Sequence, residues 1–180
     1  MRLSLLFEDN LELHDKDEWG DIEELIGDAA ERGKRDPDLE RYILDQHDHV
    51  AAYDYAKNVI KGRWLEGEEE IKKDPGWAYE YAKDVIKGRW PEGEEEIKKN
   101  PESAYLYAYN VIKERWPEGE EGIKKHPYHA YNYARDVIKG RWVEGEEAIK
   151  NDPYWAYLYA RYVINGRWPE GIKKKSLLDT

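Results

Sequence analysis

Apolar positions recur at a fixed interval from residue 52 onward. In rows of 26, Ala-Tyr opens a row at Ala52, Ala78, Ala104, Ala130 and Ala156. The pair Arg-Trp falls in register at Arg63-Trp64, Arg89-Trp90, Arg115-Trp116, Arg141-Trp142 and Arg167-Trp168. Within a row Ala78, Tyr81, Ala82 and Val85 make one helical face, with Tyr79 and Ile86 beside it. Apolar surface on two flanks suits a unit sandwiched between neighbours, and an uninterrupted period of this length marks a stacked array.

Punctuation divides each row into two helices. Asp74-Pro75, Asn100-Pro101, His126-Pro127 and Asp152-Pro153 predict an N-cap and a first helical position, with Asp48 in the same slot for the first row. This first helix is expected to run to about Gly88 and to stop before Trp90, because Pro91 pushes the preceding residue out of the α region. Pro91 opens a second, short helix with Glu92, Glu94 and Glu95 in its first turn and Lys98-Lys99 in its last, as the helix dipole favours. Its apolar surface is chiefly Ile97, so packing has to hold it. Gly93 reads as a close approach to a neighbouring unit. Gly62, Gly88, Gly140 and Gly166 align, but the third row has Glu114, so that turn does not require a left-handed residue there.

Residues 1–47 follow a different pattern. Leu3, Leu6, Phe7 and Leu11 share a face; Trp19, Ile22, Leu25, Ile26 and Ala29 share another before Gly33; Asp36-Pro37 opens a third helix carrying Leu39, Tyr42 and Ile43. None has the Arg-Trp pair. The expected fold is therefore all-α, a short-repeat αα solenoid: a helical cap over 1–47, five tandem repeats over 48–172 with the last truncated, and a tail over 173–180. The first of these helices reads as a lid on the exposed end of the array or as a docking helix for a partner.

Composition changes the picture in two ways. Charged residues reach 38% and aromatics 13%, the latter almost entirely eight Trp and fifteen Tyr, which supply buried area while keeping a polar handle. Absence of Cys excludes a disulfide scaffold, a thiolate metal site and a cysteine nucleophile. No apolar run reaches the roughly 20 residues of a membrane span, and the start is a poor signal peptide, so a soluble cytoplasmic protein is expected. Residues 1–50 carry 16 acidic and 6 basic side chains, a net −10, whereas 51–180 carry 24 and 23, a net −1. No basic stripe points to nucleic acid; an acidic end points to a partner with a basic surface.

The unit A-Y-x-Y-A-x-x-V-I-x-G-R-W-x-E-G-E, over about 52–172, resembles a short helical repeat of uncharacterised phage-encoded and environmental bacterial proteins. The resemblance implies an α-solenoid and a viral setting in a host cytoplasm, and brings no activity with it.

Chemistry is sparse. His47-Asp48-His49 and His126-x-x-His129 are fragments of metal sites without a third ligand, and His129 reads as a variable surface position. No nucleophile–base set or phosphate-binding loop appears, so no catalytic residue, metal or cofactor is assigned. The Arg-Trp ladder, identical in every unit, reads as a structural device linking units. What varies is a stripe at i, i+3 and i+7 of each first helix: Ala51/Asp54/Asn58, Trp77/Glu80/Asp84, Ser103/Leu106/Asn110, His129/Asn132/Asp136 and Trp155/Leu158/Tyr162. It is acidic early and aromatic late, and Trp77, Glu80, Asp84, Leu106, His129, Asn132, Trp155, Leu158 and Tyr162 are the candidate partner-binding residues. A non-enzymatic protein-binding scaffold, adaptor or inhibitor is the expected function. Self-assembly through array ends, or an aromatic-lined sugar or peptide module, are the alternatives.

Overall fold

The computed structural model describes residues 21–171. The helix expected over 1–13, Trp19 and the tail from Ile172 lie outside them. Among the described residues all regular structure is helical, and helix pairs stack as an αα solenoid. A leading pair, α1 (Ile22–Arg32) and α2 (Pro37–Asp45), is followed by α3 (His49–Tyr55) with α4 (Glu68–Ile71), and α5 (Pro75–Tyr81) with α6 (Pro91–Ile97). Then come α7 (Pro101–Tyr107) with α8 (Pro117–Ile123), α9 (Pro127–Asn132) with α10 (Glu146–Ile149), and finally α11 (Pro153–Tyr159). First helices pack on first helices along the array, and each second helix packs on the first helix of its own unit. No helix among the described residues is long and apolar enough to cross a membrane.

Capping follows the sequence. Asp48, Asp74, Asn100 and Asp152 each accept hydrogen bonds from two backbone N–H groups at the start of a first helix, satisfying donors that the helix itself leaves free. His126, in the same slot, makes no such bond.

The far end of each first helix was not anticipated. The helix passes without a break into a π-helical segment: Ala56–Ile60, Ala82–Ile86, Ala108–Ile112, Tyr133–Ile138 and Ala160–Ile164. The widened turn ends on a left-handed residue, which is Lys61, Lys87, Lys113, Lys139 or Asn165, with φ between 56° and 61°. Lys61 and Gly62 both donate to the Ala56 carbonyl, closing the terminus. The left-handed position is thus the residue before the aligned glycine, which is why Glu114 is tolerated.

The core is aromatic and alanine-rich. Trp64, Trp90, Trp116, Trp142 and Trp168 are 1–2% exposed, and Tyr55, Tyr81, Tyr107, Tyr133 and Tyr159 are fully buried. Gly93 does make a close approach, but to its own unit: a Cβ there would lie 2.3 Å from the Trp90 ring, and Gly67, Gly119, Gly145 and Gly171 repeat the contact. The glycine exists to seat the indole. Each indole N–H is buried without a hydrogen-bond partner among the described residues, so the ring serves through its apolar body.

The leading pair is built on the repeat plan. Arg35, Pro37, Glu40 and Ile43 stand at the spacing of Arg89, Pro91, Glu94 and Ile97, and Ile43 is as fully buried as Ile97. Trp90 is matched by Asp36 and Gly93 by Leu39, which is 2% exposed. Gly33, left-handed with φ 62°, ends α1 where a lysine, or Asn165 in the fifth repeat, ends the later first helices. Two length changes hide the match: α1 has no π segment, and the link to α3 is longer and passes through His47 at φ 54°.

Candidate interaction surface

The Arg-Trp ladder forms one joint, repeated. Arg89 grips Glu94 of its own unit with two hydrogen bonds, at 2.6 and 3.0 Å. The next unit's Tyr107 hydroxyl accepts from the Trp90 backbone N–H at 2.7 Å and donates to Glu94 at 3.0 Å. Tyr81, Tyr133 and Tyr159 do the same at Trp64, Trp116 and Trp142. Tyr81 also packs its ring on Trp90 of its own unit, centroids 5.0 Å apart, so tyrosine and tryptophan alternate along the array. Burial pushes these tyrosines above the usual phenol range, and the adjacent carboxylate adds to it. Arg63 reaches on to the next unit's Glu92 at 3.0 Å, and Arg115 to Glu144 at 3.4 Å. Arg141 and Glu146 continue the pattern, and Trp168 packs on Tyr159. For Arg167 the matching carboxylate slot is Ile172.

The stripe on the first helices is also wired between units. Its third member clasps the preceding unit's tyrosine: Tyr53 donates to Asp84 at 2.9 Å, Asn110 donates to Tyr79 at 2.8 Å, and Tyr105 donates to Asp136 at 2.9 Å. Its first member packs on that same tyrosine ring, as Trp77 does on Tyr53 (5.0 Å), His129 on Tyr105 (6.2 Å) and Trp155 on Tyr131 (5.5 Å). His129 is therefore half-buried and not a surface position, with Nδ1 unpaired among the described residues, and burial together with His126 lowers its pKa. Of the second members, Glu80, Leu106 and Leu158 are half-buried and Asn132 is 4% exposed. Ser103 stands where the second, fourth and fifth units carry an aromatic ring, and a cavity of about 370 Å³ lies there against Trp77, Tyr79, Glu80 and Leu106.

Three cations that sequence reasoning passed over stand beside the clasps. Lys57 bonds Asp84 at 2.7 Å, Lys83 pairs with Glu80, and Arg135 takes Asp136 in two bonds at 2.6 and 2.7 Å. Burial opposes ionisation of Asp84 and Asp136, but Lys57 with Tyr53, and Arg135 with Tyr105, bring both carboxyls below their ordinary value. The signal was available as Tyr-x-x-x-Lys/Arg at 53/57, 79/83, 131/135 and 157/161.

The fifth unit differs. Tyr162 occupies the clasp position opposite Tyr131 and is 53% exposed, beside Tyr154 at 61% and Tyr157 at 50%. Tyr154 meets Trp155 edge-on at 4.8 Å, and Tyr128 of the fourth unit meets it at 4.9 Å. Arg161 lies over the Tyr162 ring at 5.3 Å and donates to the Tyr157 hydroxyl at 2.7 Å. Unlike Lys57, Lys83 and Arg135, it has no carboxylate partner among the described residues.

No group of three potential metal ligands converges among the described residues. Asp48 serves as an N-cap and His47 pairs with Glu70 at 3.2 Å. Comparison with protein-family models, with curated proteins and with solved structures finds no match.

Proposed function

We propose that the chain is a non-enzymatic protein-binding solenoid, a scaffold, adaptor or inhibitor, that meets its partner through the first helices of the fourth and fifth units. The observation that carries this is the open aromatic cluster of Tyr154, Tyr157 and Tyr162 around Arg161, which has no carboxylate partner among the described residues. Tyr, Trp and Arg are the side chains that dominate binding energy at interfaces, and here they are gathered on one face. Units one to three close the matching tyrosine, Tyr53, Tyr79 or Tyr105, against the next unit's clasp residue; Tyr157 of the fifth stays open. Arg161 suits a partner that brings a carboxylate next to apolar surface. The acidic residues 1–50 suit a second, basic contact that raises the association rate. A cytoplasmic site of action, and a viral setting through the repeat's resemblance, belong to the same proposal.

Self-assembly by continued stacking is the weaker reading. Continuing the joint past Arg167-Trp168 needs a glutamate where Ile172 stands, and α1 carries no tyrosine to enter such a joint.

Tyr154, Tyr157 and Tyr162 changed together to Ser test the proposal by affinity capture from host lysate and by circular dichroism. Helicity and melting are expected to be nearly unchanged, since exposed substitutions move stability by about 0.5 kcal/mol or less each. Specific capture is expected to be lost. Capture that persists in the triple variant would place the contact elsewhere.

A further inference from the structure

One clasp between first helices carries both a ring and a cation across: Tyr53 and, four residues later, Lys57 both bond Asp84 on the next helix. In the next two clasps the hydroxyl alone crosses, at Tyr79–Asn110 and Tyr105–Asp136, while Lys83 and Arg135 bond acids on their own helices. Each cation also sits over the tyrosine ring four residues before it, at 5.1 Å for Lys57, 5.0 Å for Lys83 and 5.0 Å for Arg135. Counted from the N-cap, the tyrosine slot on α1 is Ile26 and the cation slot is Ala30. Both halves of the pair are missing, while the receiving side is present. Asn58 is the clasp residue of the first repeat, and Asp54 lies one turn before it. Neither side chain makes a hydrogen bond or ion pair among the described residues.

Between the two helices lies a cavity of about 490 Å³, floored by Ile26, Gly27 and Ala30 and edged by Glu23, Asp54, Asn58 and Lys61, two carboxylates against one cation. A Cβ on Gly27 would meet nothing within 4 Å among the described residues, so they leave the floor open where a ring would lie. Burial and the nearby Glu23 and Asp48 charges raise the Asp54 carboxyl above its ordinary value, even with Lys57 near. A cation placed there relieves that repulsion.

We propose that this cavity is a binding site for a partner protein's helix that presents a tyrosine and a basic residue one turn apart. The ring covers Ile26 and Ala30, the hydroxyl reaches Asn58, and the cation meets Asp54. The Tyr53–Lys57–Asp84 clasp is an internal example of this chemistry, the Tyr79–Asn110 clasp shows an amide meeting the hydroxyl, and the net −10 of residues 1–50 attracts the basic partner. The inference rests on the acidic-end half of the proposed function. It is independent of the aromatic end, so a failure at Tyr154, Tyr157 and Tyr162 leaves it standing.

The test uses the full chain and an alanine-based helical peptide with a single Tyr-x-x-x-Arg, followed by NMR titration. Shifts are expected at the backbone amides of Gly27 and Asp54 and at the Asn58 side chain. Phe for Tyr in the peptide, or Asn58→Ala in the chain, is expected to weaken binding about tenfold, the scale of one lost hydrogen bond. Asn58→Ala should leave the melting curve in place. Ile26→Tyr with Ala30→Arg rebuilds the clasp from within, and is expected to raise Tm and abolish peptide binding. Should that pair fail to fold, Asn58→Ala decides alone. Equal binding by the Phe peptide and by Asn58→Ala, absence of binding, or shifts confined to other units would overturn the proposal. So would dimerisation of the chain that Asn58→Ala abolishes, since the free Tyr157–Arg161 pair of a second copy would then be the occupant.

Discussion

The leading unit and the five repeats share a joint and differ in what fills it. At the first joint Arg35 holds Glu40 at 2.7 and 2.8 Å, and Tyr55 accepts from the Asp36 N–H and donates to Glu40, each at 2.8 Å. This is the arrangement of Arg89, Glu94 and Tyr107. Yet the tryptophan is replaced by Asp36, whose side chain caps α2 through the Asp38 and Leu39 N–H groups, and the glycine by a buried Leu39. Trp90 begins its helix with no side-chain cap and fills the core instead. A unit therefore puts its bulk either on the N-cap residue or on the third helical residue. The polar joint is what passes stacking from unit to unit, and the filling is interchangeable as a pair.

The largest effect that separates the two designs is expected at the tryptophan. Trp90→Ala is expected to cost about 3–5 kcal/mol, the range for deleting a buried aromatic ring, read by denaturant unfolding. A variant that melts unchanged would remove the core role of the ladder.

The exchange of fillings is sharper. Trp90→Asp and Gly93→Leu are each expected to destabilise, the first by emptying the core and the second by driving a side chain into the ring. Together they install the leading unit's solution. A double-mutant cycle should then show favourable coupling of about 1–3 kcal/mol, at the upper end for contacting residues. Additive losses would mean that the two fillings are not a reciprocal pair.

Removing the shared hydroxyl should affect both designs alike. Tyr55→Phe and Tyr107→Phe each leave a buried N–H and a carboxylate short of a partner, at a cost of about 1–3 kcal/mol. A loss at Tyr107 with none at Tyr55 would show that the leading joint is only a likeness.

The smallest difference concerns alkaline pH. Tyr55 is pushed up to about 12, mainly by burial, while Tyr81, Tyr107, Tyr133 and Tyr159 are raised further by the same cause. A tyrosine whose folded pKa exceeds the unfolded value of about 10 contributes stability that is complete below pH 10 and is lost as pH rises through the folded value. Melting temperature should therefore fall above about pH 10, with hydrogen exchange rising first around the Tyr55 joint. Simultaneous opening of all joints would erase the distinction between them.

Much of the fold was legible because it is local. An aspartate or asparagine before proline, a tryptophan before proline, and glutamates after it fix where helices begin whatever surrounds them. The candidate surface was legible only in part. Variation among units picked out the stripe, but Asp84, Asn110 and Asp136 prove to be clasps between units, and Trp77 and Trp155 rest on the preceding unit's tyrosine. The exposed aromatic cluster is instead Tyr154, Tyr157 and Tyr162 beside Arg161. Periodicity places the stripe on one face and is silent about depth.

By itself the sequence determined the repeat length, the two-helix unit, the N-caps and the structural standing of Arg-Trp, since each follows from short-range backbone preferences and from periodicity. Only the tertiary structure decided which tyrosine bonds which carboxylate and which backbone N–H, because those partners stand 13 or 31 residues apart for the carboxylates and 17 for the N–H, and meet only once helices pack. It also decided that the first helix of each of the five repeats widens into a π turn closed by a left-handed lysine or, in the fifth, Asn165, and that the leading unit belongs to the same plan. A deletion of one residue and an insertion of two destroy register in the sequence but not in space, where the Arg35–Glu40–Tyr55 joint holds the two units at the repeat's own geometry.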